Sequence, residues 1–530
     1  MHRLSTLALT LLVPALLAGC GDRPSSYDAD LGRPNAIGLS GSVALVDSPL
    51  DRVVMVTSPG QQALATTSIG VGKNVVSALP SFDFSKLFVL SRGTQPRRNP
   101  EDERPSLSVI DGDAPRLFAR YTLTDPLQGL ALDPLGEWAV VYDAGGVVVN
   151  PNELIFVDLR QAGSTPVPKT IRSFGGRPER LTFTSELSTP GGPRRFLIVE
   201  TSQDVTLIDL SDLTRDEVTL FLSKNPSGRS GTPLEVAFHD GDPTDVTDAR
   251  IAVRLENDSN VMVVQLDAPA PDSDKPFRAV VNVADAGGIP TSIGFVRTDG
   301  GLRLAALVPD KRQAALVDPS TFVVENVDFD RPFSKFARIT EALTEQPASS
   351  DIALLWSDST KSIAFWSLGT TSGTPFRSVD PYEIEIAVRA VQGVPGENFS
   401  HLKLLESTGA AEFYVLDLDK RQSFPMLTDE TGYQLSVSPD GQRSWAFRPG
   451  TARFAGVDFN NLHPTSVEVE RPVSGVFDIG RPDGGRTLIA LHSQSSAGRS
   501  PGVGATVLDA LNPDTANSRF YGGLLLGGFR

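Results

Sequence analysis

One pattern recurs along this chain about every fifty residues: a short run of apolar β-formers, an aspartate, then a polar turn. It reads SVID ending at Asp111, IFVD at Asp158, TLID at Asp209, VQLD at Asp267 and ALVD at Asp318. It continues as YVLD at Asp417, AGVD at Asp458 and TVLD at Asp509, with a degenerate AFWS ending at Ser367. Successive copies lie 41 to 58 residues apart. A unit of this size cannot bury its own apolar face, so neighbours must stack; periods of roughly 40–50 residues are those of propeller blades. ALVD at Asp47 falls off the period and marks an irregular first unit.

Each unit also holds a strand–turn–strand stretch upstream of its aspartate, as in QLSVSPDGQRSWAF (434–447), GLALDPLGEWAVVY (129–142) and SIGFVRTDGGLRLAALV (292–308). Pro presets φ and Gly accepts positive φ, so Pro-Asp-Gly and Asp-Gly are turns with a mechanism. Unbroken apolar runs such as Leu87-Phe88-Val89-Leu90 suit strands covered on both faces, the condition inside stacked blades. The expectation is an all-β β-propeller of repeated four-stranded blades, seven to ten of them, with nine units counted. The recurring aspartate should cap the turn after the third strand with its own side chain.

The amino terminus carries a different signal. Met1–Arg3 are basic, residues 4–17 are mostly apolar yet too short to span a bilayer, and Leu17-Ala18-Gly19-Cys20 follows. This resembles the lipobox of bacterial lipoproteins. The resemblance implies cleavage before Cys20 and a thioether-linked diacylglycerol on its sulfur, with small Ala18 and Gly19 admitting the peptidase. Cys20 is the single cysteine of the chain. Position 21 is Gly rather than the Asp that holds enterobacterial lipoproteins in the inner membrane, so the resemblance favours the outer membrane. Residues 21–38 lack periodicity and read as a tether. The chain therefore divides into a signal peptide (1–19), the lipidated cysteine and flexible tether (20–40), and the propeller (41–530).

Composition narrows the functions. The net charge of −16 argues against a nucleic-acid binder, which needs surplus Lys and Arg for phosphate. One Cys excludes intrachain disulfides and thiolate clusters, and five His residues leave little for a His-based metal centre. No cofactor is implied.

The repeat period and turn chemistry resemble YVTN-type and lactonase-like β-propellers. No family-specific active-site motif matches, so no catalytic residue carries over. Gly498-Arg499-Ser500-Pro501-Gly502 fits G-x-S-x-G, but Pro501 follows the Ser directly, no helix follows, and no His comes later in the chain. Asp240, Asp242, Asp245 and Asp248 form an acidic stretch whose spacing is not that of an EF-hand; it reads as a solvated turn between the first two strands of its unit, with Ca²⁺ as the weaker option. Asp267, Asp272 and Asp274 lie in a second such loop. His239, His401, His463 and His492 lie in different units. Trp138, Trp356, Trp366 and Trp445 fall in strands and read as packing between blades.

Residues 92–105 (RGTQPRRNPEDERP) interrupt the second and third strands of one unit. Arg92, Arg97, Arg98 and Arg104, alternating with Glu101, Asp102 and Glu103, make this loop the first choice for a partner contact, since long loops in rigid repeats gather on a binding face; the other reading is a plain solvated insertion. The expected function is a lipid-anchored cell-envelope scaffold that binds a protein or other envelope ligand. The alternatives are a lactonase-like hydrolase, with acidic or His residues at one mouth of the channel, and a Ca²⁺-stabilised adhesin.

Overall fold

Each unit folds into one antiparallel four-stranded sheet, and the computed structural model contains ten of them. It describes all residues except 1–33, 146–147, 149, 174, 223–230, 241–243, 270–274, 276, 341–350, 370–378, 408, 429, 494–502 and 527–530. Blades 1 to 10 span 35–70, 75–122, 129–170, 180–221, 233–285, 292–328, 335–383, 390–427, 434–468 and 475–521. Within each, strands a, b, c and d follow in chain order from first to last, neighbour pairing with neighbour. Blade 4 adds a small hairpin, Leu187–Thr189 with Gly192–Arg194, between its strands a and b. Among the described residues the helical segments are single 3₁₀ turns of three residues.

Antiparallel order gives the disc two faces. The linker face carries the d-to-a linkers and the b–c loops. The hairpin face carries the a–b and c–d turns. The three strand–turn–strand stretches read from the sequence are a–b hairpins of blades 9, 3 and 6. Their glycines supply the left-handed backbone expected of such turns: φ is +71° at Gly136 and +65° at Gly441.

Ten buried apolar clusters occupy the ten interfaces between consecutive blades. Leu39, Val46 and Met55 of the blade 1 region meet Leu87 and Ile110 of blade 2, for example. Trp138, Val140 and Phe156 of blade 3 meet Leu197 and Ile208 of blade 4. The tenth cluster closes the ring: Val43, Leu45 and Val56 of blade 1 pack on Ile489, Leu491 and Val507 of blade 10. Alternate residues of a central strand face opposite neighbours, which is why the apolar runs are unbroken. All four Trp side chains are buried in b or c strands, as packing required.

The recurring aspartate caps the c–d turn through its own carboxylate. Asp111 accepts from the N–H of Ala114 at 3.0 Å, Asp158 from Arg160 at 2.9 Å, and Asp209 from Ser211 at 2.9 Å. Asp318 accepts from Ser320, Asp417 from Lys420, Asp458 from Asn460 and Asp509 from Leu511 at 2.8–3.0 Å. Asp267 instead pairs with Arg278 at 3.0 Å.

Two expectations are corrected. Asn35–Gly38, placed in the tether, is strand a of blade 1, because its backbone pairs with Val43–Val46. The first unit is a regular four-stranded blade. Asp47 falls off the period because it closes strand b; strand c runs to Gly60, with no aspartate at its end.

Candidate functional site

The residues singled out in the sequence are dispersed. Leu17, Ala18, Gly19 and Cys20 lie outside the described residues, as do Asp242, Asp272, Asp274 and residues 498–502. Asp240 lies in the a–b connection of blade 5, and its two oxygens accept from the Ser188 N–H and Oγ at 2.9 Å, tying that connection to the blade 4 hairpin. Asp245 caps Thr247 at 2.9 Å. Asp248 and Asp245 supply the negative field that partly offsets burial of the Arg250 guanidinium. Among the described residues no three His, Cys, Asp or Glu gather as a metal would need.

The 92–105 loop joins strands b and c of blade 2 on the linker face. Its base is fixed: Arg92 Nε donates to Pro126 O at 3.2 Å, and Gly93 N to Lys73 O at 2.9 Å. Asp102 accepts from the N–H groups of Arg98 and Asn99 at 2.6 and 2.8 Å, and these bonds with Arg97 nearby hold its carboxyl below the usual range. Arg97, Arg98 and Arg104 are exposed, and their guanidinium groups make no ion pair among the described residues.

A cleft of about 350 Å³ opens on the hairpin face of blades 2 and 3. Its walls are the a–b turns of both blades (81–86 and 133–136), with Phe118 and Tyr121 from strand d of blade 2. Phe82, Phe118 and Leu135 are 61%, 44% and 66% exposed around it. Asp83 is saturated by hydroxyl and backbone bonds from Ser81 and Ser85, which outweigh burial and lower its pKa. Asp133 is wholly buried and bonded to Arg195 of blade 4 at 2.5 Å. Lys86 sits 4.7 Å over the Phe118 ring and has no carboxylate partner among the described residues.

The channel wall is charged along blades 4 to 7. Near the linker face Arg180 meets Glu200 at 3.5 Å, and Arg254 meets Glu235 at 3.0 Å. Glu235 also accepts from Ser292 Oγ and the Ile293 N–H across the blade boundary. Glu200 is buried, and its Oε1 has no partner among the described residues; burial, reinforced by Glu235 and Glu179 against the pull of Arg180, pushes its pKa up. Near the hairpin face His239 stacks on Phe295 at 5.9 Å, and Asp351 takes the Arg297 N–H at 2.7 Å and meets Arg338 at 3.6 Å. Burial, then Arg338 and Arg297, lowers the His239 pKa. Glu235 and His239 lie four residues apart on one strand, a rise of about 13 Å. That exceeds hydrogen-bond reach, so the Glu235 carboxylate and the His239 imidazole do not form an acid–base pair.

The opposite wall, at blades 8 to 10 and 1, differs. A cavity of about 780 Å³ lies at the linker-face mouth between the a strands of blades 1, 9 and 10. A smaller one, about 200 Å³, follows toward the hairpin face and gathers Gly38, Phe84, Gln392 and Asp478 from four blades. Ser436 and Phe477 border both. A Cβ on Gly38 would lie 2.9 Å from the Phe477 ring, and one on Gly475 2.7 Å from it, so two glycines make the slot that fixes this ring. Sequence reading missed these places because they form only where separate turns or distant blades converge.

No protein-family model matches the chain, and no curated protein matches it. Solved structures with similar architecture include the dihydro-heme d1 dehydrogenase NirN in complex with DHE, at 12% identity and TM-score 0.41, covering 70% of this chain and 72% of that one. The Cps50 (Swd1) β-propeller domain of Myceliophteria thermophila matches at 15% identity and TM-score 0.35, over 64% and 95%. Apo AztD from Citrobacter koseri matches at 11% and 0.35, over 82% and 94%. Likenesses this remote carry no functional argument. The protein is a ten-bladed β-propeller on the strength of its own sheets.

Proposed function

We propose that this propeller is a binding scaffold of the cell envelope, moored through acylated Cys20, in the outer membrane, and that the blade 2–3 cleft receives a partner protein. The exposed trio Phe82, Phe118 and Leu135 around one cleft carries the reading, because apolar side chains grouped this way mark interaction sites. The occupant is a segment of a partner protein that presents an apolar side chain beside a carboxylate. The apolar side chain enters the cleft, and the carboxylate meets Lys86, whose charge no described carboxylate answers. Arg97, Arg98 and Arg104 offer a second, polar contact on the opposite face.

Crosslinking and pull-down from membranes, with the native anchor intact, tests this. Phe82→Asp with Leu135→Asp should abolish recovery of a companion that the parent chain captures reproducibly, while Arg97→Glu with Arg98→Glu should leave it largely intact. Equal recovery with the cleft variant overturns the cleft assignment. Cys20→Ala should release the chain from the membrane fraction, and unchanged fractionation contradicts the anchor.

A further inference from the structure

We infer that the 780 Å³ cavity at the linker-face mouth of the channel is a binding site for an uncharged, polyhydroxylated ligand of the saccharide class. Its volume falls within the range of small-molecule sites. None of the described residues lining it is charged, although the wall across the channel carries Arg180, Glu200, Glu235 and Arg254. An ionic ligand seated here would lose water and gain no counter-charge, which is costly.

The lining is nonetheless rich in hydrogen-bonding groups. The side chains of Asn35, Gln434 and Ser436 come from strands a of blades 1 and 9 and have no hydrogen-bond partner among the described residues. Two amides offer paired donors and acceptors, and the hydroxyl offers both roles. A purely apolar ligand would leave all three unanswered. Beside them stands the half-buried Phe477 ring, locked by Gly38 and Gly475, while Phe447 backs the cavity from the blade 9–10 core. A pyranose fits this combination: its C–H face packs on an aromatic ring, its rim of hydroxyls meets amides and a serine, and it carries no charge. The assignment is independent of the cleft between blades 2 and 3, on the other face of the disc.

Titration calorimetry of the full chain tests it, with cellotriose, maltotriose and chitotriose as ligands and tri-galacturonate as the charged control. At least one neutral trisaccharide should bind, and tri-galacturonate should bind at least tenfold more weakly. Gln434→Ala and Asn35→Ala alter exposed side chains and should each weaken binding about tenfold. Lys86→Ala, in the distant cleft, should leave affinity unchanged. Failure of all three neutral sugars to bind at millimolar concentration overturns the inference. So does equal affinity for tri-galacturonate, or indifference to both Gln434→Ala and Asn35→Ala. None of these results bears on partner capture at the cleft, which Phe82→Asp reads separately.

Discussion

The Arg52 guanidinium donates to the main-chain oxygen of Leu525 at 2.7 Å, joining the first blade to the last turn of the described chain. Every blade here is built from consecutive strands, so no shared sheet staples the ring shut. Closure rests on side-chain packing, in which Leu524 and Leu525 are fully buried against blades 1 and 10, and on hydrogen bonds across the seam, among them this one, Gly480 N to Ser40 O at 2.7 Å, Ser58 Oγ with Thr487 Oγ1 at 2.7 Å and Tyr521 Oη to Gln62 O at 2.8 Å. Leu525→Ala should cost about 2–5 kcal/mol, the usual range for a buried leucine. Arg52→Ala should also destabilise, because Asp47 is buried and Arg52 is its 2.8 Å partner. Urea midpoints measure both, and a Leu525→Ala midpoint equal to the parent's contradicts the seam's role.

A second cross-blade lock joins Arg195 of blade 4 to the a–b turn of blade 3, at 2.5 Å from Asp133 and 2.8 Å from Glu137. Arg195→Met strands a buried carboxylate and should cost about 3–5 kcal/mol. Adding Asp133→Leu should restore much of that, since the surviving charge is then gone. A double variant no more stable than the single would show that packing, not charge, sets the cost.

Stability should depend on pH through Glu153 on the linker face of blade 3. Burial, helped by a hydrogen bond and repulsion from Asp125, raises its pKa from 4.5 to about 6. The folded state thus binds this proton more tightly than the unfolded state. Its stabilising contribution is complete below pH 4.5 and is lost as pH rises through about 6. Glu153→Gln should therefore gain on the parent at pH 7.5 and show little difference at pH 4.5. Thermal midpoints across that window measure it; a gap that widens toward acid reverses the sign. His492 works the other way. Burial lowers its pKa while its ring bonds Pro472 O and Thr506 Oγ1, so its contribution holds above pH 6.5 and fades as pH falls below.

Much of the architecture is legible in the sequence because it is local. The a–b hairpins at 129–142, 292–308 and 434–447 are set by neighbouring turn residues, and the aspartate caps act over two or three positions. Blade 1 escapes the period because Gly60 ends its third strand and Asp47 sits on the second, so a rule keyed to aspartate begins one blade late. The candidate sites were less legible for a geometric reason. Phe82 and Leu135 stand 53 residues apart and share a cleft only after two blades pack. Asn35 and Gln434 share a cavity only once the ring has closed.

The cap reading separates cleanly from any chemical role of the repeated aspartate. Asp318 Oδ1 accepts from the N–H groups of Ser320 and Thr321 at 2.9 and 3.1 Å, and Arg303 stands 3.3 Å from its other oxygen. Asn keeps an oxygen that can accept the same bonds and loses only the charge facing Arg303; Ala loses both. Asp318→Ala should cost about 1–2 kcal/mol, near one hydrogen bond plus a partly exposed ion pair, and Asp318→Asn appreciably less. The urea slope m should stay constant, since neither change alters the surface exposed on unfolding. If Asn proved as damaging as Ala, the carboxylate's charge, rather than its place in the turn, would be what this recurring residue supplies.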